Sequence, residues 1–256
     1  MTVIKEETIG AAWSKALALC HAAPHGTLAP SCVSFRTVPP EITECPAANA
    51  LEAFLLQKGK SSITTVANTI FPNSLWRQSQ GNRTFLYDRY LKMWPHIKHA
   101  HANAHGVYFQ RLIAYGIETS GESVNQLEFI IETWRKKNHR FSALQAAITD
   151  PRKDMSNAPV RGFPCLQQIA FHPKGQNGKE GLEIVAFYAT QLLVEKGYGN
   201  YLGLYRLGQF MASQMGLTLS SVSCVAGALK LNESCNKGAT RQLLKQVSGV
   251  PDVEEE

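Results

Sequence analysis

One cysteine stands where a side chain could do chemistry. Cys165 follows a proline in Phe163-Pro164-Cys165 and opens the strand-like run 166–171. The start of a strand presents a side chain to a cleft from a rigid sheet, and a preceding proline fixes the backbone direction. A thiol in that place is a candidate nucleophile for covalent catalysis. Free cysteines are also commonly small buried hydrophobes, so a structural role for Cys165 is the alternative interpretation.

The bulk properties of the chain fit one large domain of a cytoplasmic protein. Its 256 residues are 44% hydrophobic, which is enough to bury a substantial core. No run of about eighteen apolar residues occurs, and the first seven residues lack the pattern of a secretory signal. Cysteines in a chain without a signal are expected to be reduced thiols. We therefore expect no membrane partner and no disulfide framework.

The formal net charge of +6 is spread along the chain in short pairs and triplets. This distribution suits anionic small molecules and nucleic acid alike. Aromatic residues beside cations, as in Trp76-Arg77 and Trp134-Arg135, are typical of single-strand binding. They are equally typical of amphipathic helices whose arginines extend to solvent, which is the interpretation we favour. Nucleic acid is therefore an allowed but not a favoured partner.

Helical and strand patterns along the chain predict an α/β or α+β fold. Residues 1–41 mix Gly, Pro and small residues and predict an irregular, peripheral segment, followed by one domain over 42–256. The apolar spacing predicts helices over 47–56, 63–70, 125–134 and 200–216. Short apolar runs predict strands over 143–149, 166–171, 182–188 and 219–225. Asn200 is expected to cap the last of these helices.

Four histidines crowd into the segment 95–105, at positions 96, 99, 101 and 105. Histidines on a loop can converge on a transition metal. No cysteine or carboxylate lies among them, and their spacing matches no structural zinc pattern. We therefore expect a solvated segment and no metal.

The order and spacing of five short segments resemble the thymidylate synthase family. That family has a Tyr-Gly-x-x-Trp-Arg segment, an Asp-Gln-Leu helix start, a strand ending Asn-Pro with a nearby Asp, Pro-Cys-His, and a Phe-Asn helix start. Here the spacings are kept while several identities differ, over roughly residues 52–231. The corresponding segments are Tyr108-Phe109-Gln110-Arg111, Asn125-Gln126-Leu127, Thr149-Asp150-Pro151 with Asp154, Pro164-Cys165, and Asn200.

The resemblance implies a mixed sheet covered by helices, with the sheets of two subunits packed back to back in a homodimer. It implies that Cys165 adds to C6 of a pyrimidine and that Asn200 reads the polar edge of the base. Tyr108 would lie near the reacting base, and Glu52 would organise water and proton transfer. The alternatives are a helix cap for Asn200, a packed ring for Tyr108 and an exposed helix face for Glu52.

The departures from the family fall on the groups that hold a nucleotide phosphate. The family's arginine after the cysteine aligns with Ala189 or Thr190, and its paired arginines from the partner subunit align with Ser142 and Ala143. A phosphate without bidentate arginines loses its strongest hydrogen bonds. The residues expected to bind substrate are Asn200, Arg140, Lys230 and Gln168.

Two classes of function follow from this resemblance. The first is a divergent enzyme that transfers a one-carbon group, by methylation or hydroxymethylation, to C5 of a pyrimidine nucleoside, a modified nucleotide or a base carried on a larger molecule. Methylenetetrahydrofolate is its implied donor, although the family's folate-closing segment is unrecognisable in 250–254. The second is a catalytically degenerate dimer that serves as a binding or assembly module. The retained Pro164-Cys165 and Asn200 favour the enzyme.

Overall fold

Helices and strands alternate in a mixed α/β architecture. A computed structural model describes residues 1–116, 122–137, 140–157, 164–231 and 237–248. The strands are β1 (Thr2–Lys5), β2 (Thr27–Leu28), β3 (Ser31–Phe35), β4 (Gln145–Ala147), β5 (Leu166–Lys174), β6 (Gly181–Leu192) and β7 (Leu219–Lys230). The α-helices are α1 (Ile9–Ala22), α2 (Pro46–Gln57), α3 (Ile63–Ile70), α4 (Asn73–Gln78), α5 (Arg83–His99), α6 (Tyr108–Ile113), α7 (Gln126–Arg135), α8 (Pro151–Asp154), α9 (Tyr198–Met215) and α10 (Lys237–Ser248).

The seven strands of the described residues form one mixed sheet. Hydrogen-bonded neighbours follow the order β1-β3-β7-β6-β5-β4, and β2 pairs with β7. β1 runs parallel to β3, whereas β3 runs antiparallel to β7 and β4 antiparallel to β5. The predicted α/β or α+β class is confirmed at this level.

The chain divides into two compact units. The first unit contains residues 1–67, 188–205 and 221–256, and the second contains 68–187 and 206–220. The boundary that the sequence predicted at residue 42 therefore falls inside the first unit.

The prediction of an irregular segment over residues 1–41 is wrong. This segment supplies β1, α1 and β3, and Thr8 caps α1 by accepting a hydrogen bond from the backbone N–H of Ala11 at 3.2 Å. Trp13 and Phe35 are fully buried in the core of the first unit. Apart from Gly10, the second residue of α1, the Gly and Pro residues lie between or after these elements, and the apolar residues of the helix keep their helical spacing.

The indole of Trp13 anchors the core of the first unit. Its N–H donates to the carbonyl of Leu193 at 3.0 Å, and its ring meets the ring of Tyr198 edge to face at 5.9 Å. A buried indole that keeps a hydrogen-bond partner adds polar specificity to a large apolar contact. These two contacts hold the segment between the end of β6 and the start of α9.

A cluster of aromatic rings forms the core of the second unit. The ring of Phe109 lies 5.8 Å from that of Phe71 and 4.7 Å from that of Tyr90, both edge to face. Phe71 also contacts Phe210 at 5.3 Å. Because Phe109 is the second residue of α6, this cluster positions the helix that begins with Tyr108.

Helices with clear local signals occur where the sequence predicted them. The helix predicted over 63–70 is α3, and the one predicted over 125–134 is α7, shifted by one residue. Asn125 caps α7 by accepting from the N–H of Glu128 at 3.0 Å. Lys58 follows α2, and Gly59 has a φ of 61°, as expected for a glycine at a helix C-terminus.

The prediction that Asn200 caps a helix is wrong. A π-helical turn over Leu193–Gly197 leads directly into α9, so Asn200 is the third residue of that α-helix. The start of α9 packs closely against Val66 of α3, and only a glycine at position 199 allows this approach. A Cβ there would lie 2.6 Å from the Cβ of Val66. Asn200 is only 4% exposed.

We expect the stability of the fold to fall as the pH rises above 9. Burial raises the pKa of the Cys20 thiol from 9.0 to about 12, so the unfolded chain loses this proton first. Above pH 9 the native state binds more protons, and the free energy of unfolding falls by roughly 1.4 kcal/mol per pH unit from this group. Urea denaturation from about pH 8 to about pH 11 should show a shallower fall in Cys20→Ala. If the free energy of unfolding fell equally steeply with pH in the wild type and in Cys20→Ala, Cys20 would not be the group responsible.

Candidate active site

Cys165 lies at the entrance to β5 and is half-buried. Leu166 begins the strand, and burial alternates along it so that Ile169 and Phe171 face the core. Because strand side chains alternate between faces, Cys165 shares the side of Gln167 and Ile169. Phe163, which the sequence placed before this strand, lies outside the described residues. The thiol therefore stands at the start of the strand and is only partly covered.

Tyr108 lies against the segment that carries Cys165. It is the first residue of α6, and its hydroxyl is hydrogen-bonded to the backbone of Leu166 and of Cys165. Burial, and to a smaller extent the neighbouring Cys165, raises the pKa of Tyr108 above its usual range. The hydroxyl is therefore neutral at physiological pH, and a neutral phenol can donate a hydrogen bond to charge that develops beside the thiol.

Gln167 holds the peptide that carries the cysteine. Its side-chain Nε2 donates to the carbonyl of Pro164 at 2.9 Å and to that of Cys165 at 3.3 Å, and its Oε1 accepts from the hydroxyl of Thr149. The residue predicted from the sequence was its neighbour Gln168. Strand alternation was the signal that could have found Gln167, because residues 165 and 167 share one side and residue 168 faces the other.

A buried ion pair joins α6 to the segment after β4. The guanidinium of Arg111 binds both carboxylate oxygens of Asp154, with Nη2 2.8 Å from Oδ1, and also donates to the carbonyl of Ile148 at 2.7 Å. The two side chains are 5% and 3% exposed. Asp154 in addition accepts from the backbone N–H of Asp150 at 2.7 Å. Such a bidentate, fully hydrogen-bonded pair fixes geometry as well as charge.

Gln126 ties the start of α7 into the same network. Its Nε2 donates to the carbonyls of Arg111 at 3.0 Å and Ala147 at 2.7 Å, and its Oε1 accepts from the N–H of Ala147 at 2.9 Å. Four of the five segments that carried the sequence resemblance thus meet in the second unit. They are the segments that begin at residues 108, 125, 149 and 164.

Glu52 lies in the first unit, on α2. Its Oε2 accepts a hydrogen bond from the backbone N–H of Ile63 at 2.8 Å. Ile63 is the first residue of α3, so the carboxylate satisfies a donor at a helix N-terminus. The side chain is half-buried, not on the exposed helix face that the alternative interpretation predicted.

The other residues expected to bind substrate occupy varied surroundings. Asn200 is buried within α9 in the first unit, and Lys230 is exposed at the end of β7, paired in register with Thr27. Arg140 is exposed in the second unit and precedes a short 3₁₀ turn over 141–143. Gln168 is exposed on β5, and its amide donates to the side chain of Gln145. Their roles in binding stay predictions.

Neither a candidate metal site nor a membrane-spanning helix occurs among the described residues. Within the described ranges, no three His, Cys, Asp or Glu side chains come close enough to hold a metal ion. The histidines at 96 and 99 belong to the last turns of α5, and His101 starts a 3₁₀ turn. No helix in the part of the chain that is described has the length and apolarity needed to cross a membrane.

Comparison of the sequence with protein-family models and with curated proteins finds no match.

Proposed function

We propose that this chain is a divergent enzyme of the thymidylate synthase type that acts at C5 of a pyrimidine, with Cys165 as its nucleophile. The observation that supports this most is the contact between Tyr108 and the backbone of Cys165 at the mouth of β5. The pair lies where four separated segments of the family-like order are joined by hydrogen bonds. A thiol at the start of a rigid strand, beside a neutral hydroxyl that can hydrogen-bond the reacting base, is compatible with covalent catalysis.

The reaction begins with addition of the Cys165 thiolate to the pyrimidine ring. A bond forms between Sγ and C6, and the electron pair of the C5–C6 double bond moves to C5 and the conjugated carbonyl as an enolate. The nucleophilic C5 then takes up a solvent proton or a one-carbon electrophile. Loss of a proton from C5 restores the double bond as the S–C6 bond breaks, which returns the thiolate. Tyr108 is positioned to hydrogen-bond the reacting base or a water beside it.

The substrate is proposed to be a pyrimidine whose anchor differs from a simple 5′-phosphate. Ser142 and Ala143, at the family's arginine positions, lie in the 3₁₀ turn after Arg140. Arg111, the buried guanidinium of the second unit, is already engaged by Asp154. A nucleoside, a modified nucleotide or a base on a larger molecule fits such a site better than deoxyuridylate does.

The one-carbon donor and the homodimer belong to the same proposal. A reduced folate is the donor that the resemblance implies, and residues 249–256, where the family closes over it, lie outside the described residues. The outward side of β5 and β6 in the second unit carries the half-exposed Phe187, at 44%, with Val185 and Ala170. The same side also carries the polar Gln168, His172 and Glu183, so the back-to-back homodimer rests on the resemblance rather than on an apolar sheet side.

Solvent-deuterium exchange at C5 tests the covalent step alone. Uridine and cytidine nucleosides and nucleotides are incubated with the protein in D₂O, and mass spectrometry measures the gain of one mass unit. Exchange needs addition and elimination but no one-carbon donor. Exchange on one compound would name the substrate class and its phosphate state. If a folded dimer exchanged deuterium into none of these compounds, the proposal that the chain is an enzyme would be wrong.

Gln167→Leu is expected to slow this exchange about tenfold while the fold is kept. The leucine cannot hold the carbonyls of Pro164 and Cys165, so the thiol loses its fixed position relative to the base. Exchange rates and urea midpoints are measured for Gln167→Leu and, beside it, for Gln168→Leu. A loss at Gln168 with none at Gln167 would reverse the assignment of the two residues.

A catalytically degenerate binding or assembly module is the second candidate. One observation favours it: the carboxylate of Glu52, which the resemblance assigns to proton transfer, accepts the N–H of Ile63 and so serves a structural purpose. The exchange experiment separates the two, because the module would form a dimer and show no cysteine-dependent exchange.

A further inference from the structure

The second unit contains a cavity that the proposed reaction does not use. Its volume is about 580 Å³, within the roughly 300–1,000 Å³ typical of small-molecule sites. Neither Cys165 nor Tyr108 lines it. The lining residues are Trp134, Arg135, Lys137, Phe141, Asn177, Met215, Gly216 and Leu217.

One wall of the cavity is rigid and aromatic. The indole N–H of Trp134 donates to the carbonyl of Met215 at 2.9 Å, so the ring is held and its polar group is already satisfied. Gly178, with a φ of 73°, packs against the same wall, because a Cβ there would lie 2.7 Å from Leu217 and 3.3 Å from the Trp134 ring. A ring fixed in this way offers a preformed stacking surface.

A second aromatic ring borders the cavity and remains exposed. The side chain of Phe141 is 57% exposed, and it makes a tilted ring contact with His172 at 6.0 Å between centroids. A ring this exposed adds little to the apolar burial of the fold. It is well placed to stack on a ligand.

The charged groups at the cavity are positive. Arg135 contacts Glu132 at 3.0 Å, and that carboxylate also accepts from Arg83 at 3.0 Å. Arg83 is held in addition by Glu128 at 2.7 Å, so Arg135 is largely neutralised and the net positive charge at the cavity comes chiefly from Lys137. Lys137 is exposed and has no acidic partner among the residues that the structure describes. No carboxylate lines the cavity, and an anion would therefore meet net positive charge.

The C-terminal end of α7, which carries the negative end of the helix dipole, would disfavour an anion in the cavity. Its last carbonyls are already bonded, since the backbone N–H of Lys136 binds those of Glu132 and Thr133 and the N–H of Lys137 binds that of Trp134 at 3.2 Å. This bonding reduces the exposed partial negative charge at the helix end. The positive charge of Lys137 therefore dominates.

We propose that this cavity binds a planar aromatic ring joined to an anionic group, either a phosphate or a carboxylate. The ring stacks between Trp134 and Phe141, and the anion pairs chiefly with Lys137, with Arg135 beside it. The site is independent of the reaction at Cys165.

Titration calorimetry on the full chain tests this site with four probes. Adenosine 5′-monophosphate and indole-3-acetate supply an aromatic ring with a phosphate or a carboxylate, and adenosine and inorganic phosphate supply each half alone. We expect at least one of the first pair to bind with a Kd below about 1 mM, and each half alone to bind at least about tenfold more weakly. Comparing the first pair distinguishes the two anions.

Variants identify the site. Lys137→Gln should weaken the bound aromatic anion about tenfold, and the adjacent Lys136→Gln, which lies outside the lining, should not. Phe141→Ala should also weaken it about tenfold or more, by the usual contribution of one stacked ring. All three side chains are exposed, so the variants should fold. Cys165→Ser should bind like the wild type, which separates this site from the proposed reaction.

Three results would overturn the proposal. The first is that neither aromatic anion binds at millimolar concentration, and the second is that binding is unchanged in both Lys137→Gln and Phe141→Ala. The third applies if adenosine 5′-monophosphate is the probe that binds: adenosine alone would then bind as tightly as the monophosphate.

Discussion

Cys165→Ser is expected to abolish deuterium exchange at pyrimidine C5, by at least about a thousandfold relative to the wild type. A serine hydroxyl at neutral pH supplies almost no alkoxide, and no base in this proposal activates it. The exchange needs only the S–C6 bond to form and break, so losing the nucleophile removes every step. Mass spectrometry of the most active pyrimidine in D₂O gives the ratio of rates.

Cys45→Ser is the matched control for this substitution. Cys45 is also a half-buried cysteine, and its sulfur accepts from the hydroxyl of Tyr198 at 3.3 Å, a contact that serine can keep. Exchange should be unchanged in Cys45→Ser. Wild-type exchange in Cys165→Ser, or an equal loss in both variants, would remove Cys165 from the mechanism.

Arg111→Met is expected to lower the free energy of unfolding by about 3–5 kcal/mol, the usual cost of breaking a buried ion pair by removing one partner. The carboxylate of Asp154 would be left buried at 3% exposure without its counter-charge. Urea denaturation with a constant m-value gives this loss directly. The double variant with Asp154→Leu removes both charges and should recover part of it, because the backbone N–H of Asp150 then loses its acceptor.

Arg152→Met is the matched control for the ion pair. Its guanidinium lies 3.4 Å from Asp150 and is 67% exposed, so solvent screens the interaction. Its removal should cost about 1 kcal/mol or less. A similar small loss in Arg111→Met would mean that the buried pair does not hold the candidate site together.

Local signals explain the elements that were predicted correctly. The apolar spacing of 63–70 and the side-chain cap of Asn125 act within one or two turns, so they are readable without the rest of the molecule. The same kind of signal was present in residues 1–41, where Thr8 precedes a helical spacing that includes Trp13. The Gly and Pro residues of the neighbouring turns obscured it.

Longer elements depended on contacts that the sequence does not display. β6 and β7 each extend over 12 residues, beyond the apolar runs that predicted them, because backbone pairing in a sheet continues through polar and small residues. Asn200 looked like a cap, yet the helical backbone begins before it and buries it. Tertiary packing overrides the local preference of a single residue in such places.

The sequence by itself determined the mixed α/β class and the positions of α2, α3, α7 and α9, because residue type, spacing and periodicity are local properties. The resemblance to the thymidylate synthase family then selected Cys165 and Tyr108 as candidate reacting residues. Only the tertiary structure decided that Tyr108 reaches the backbone of Cys165, that Gln167 and not Gln168 holds that backbone, and that Arg111 pairs with Asp154. These pairs are separated by up to 57 residues along the chain for Tyr108 and Cys165 (165 minus 108). Their meeting depends on the packing of α6 against the segments around it, which no local pattern encodes.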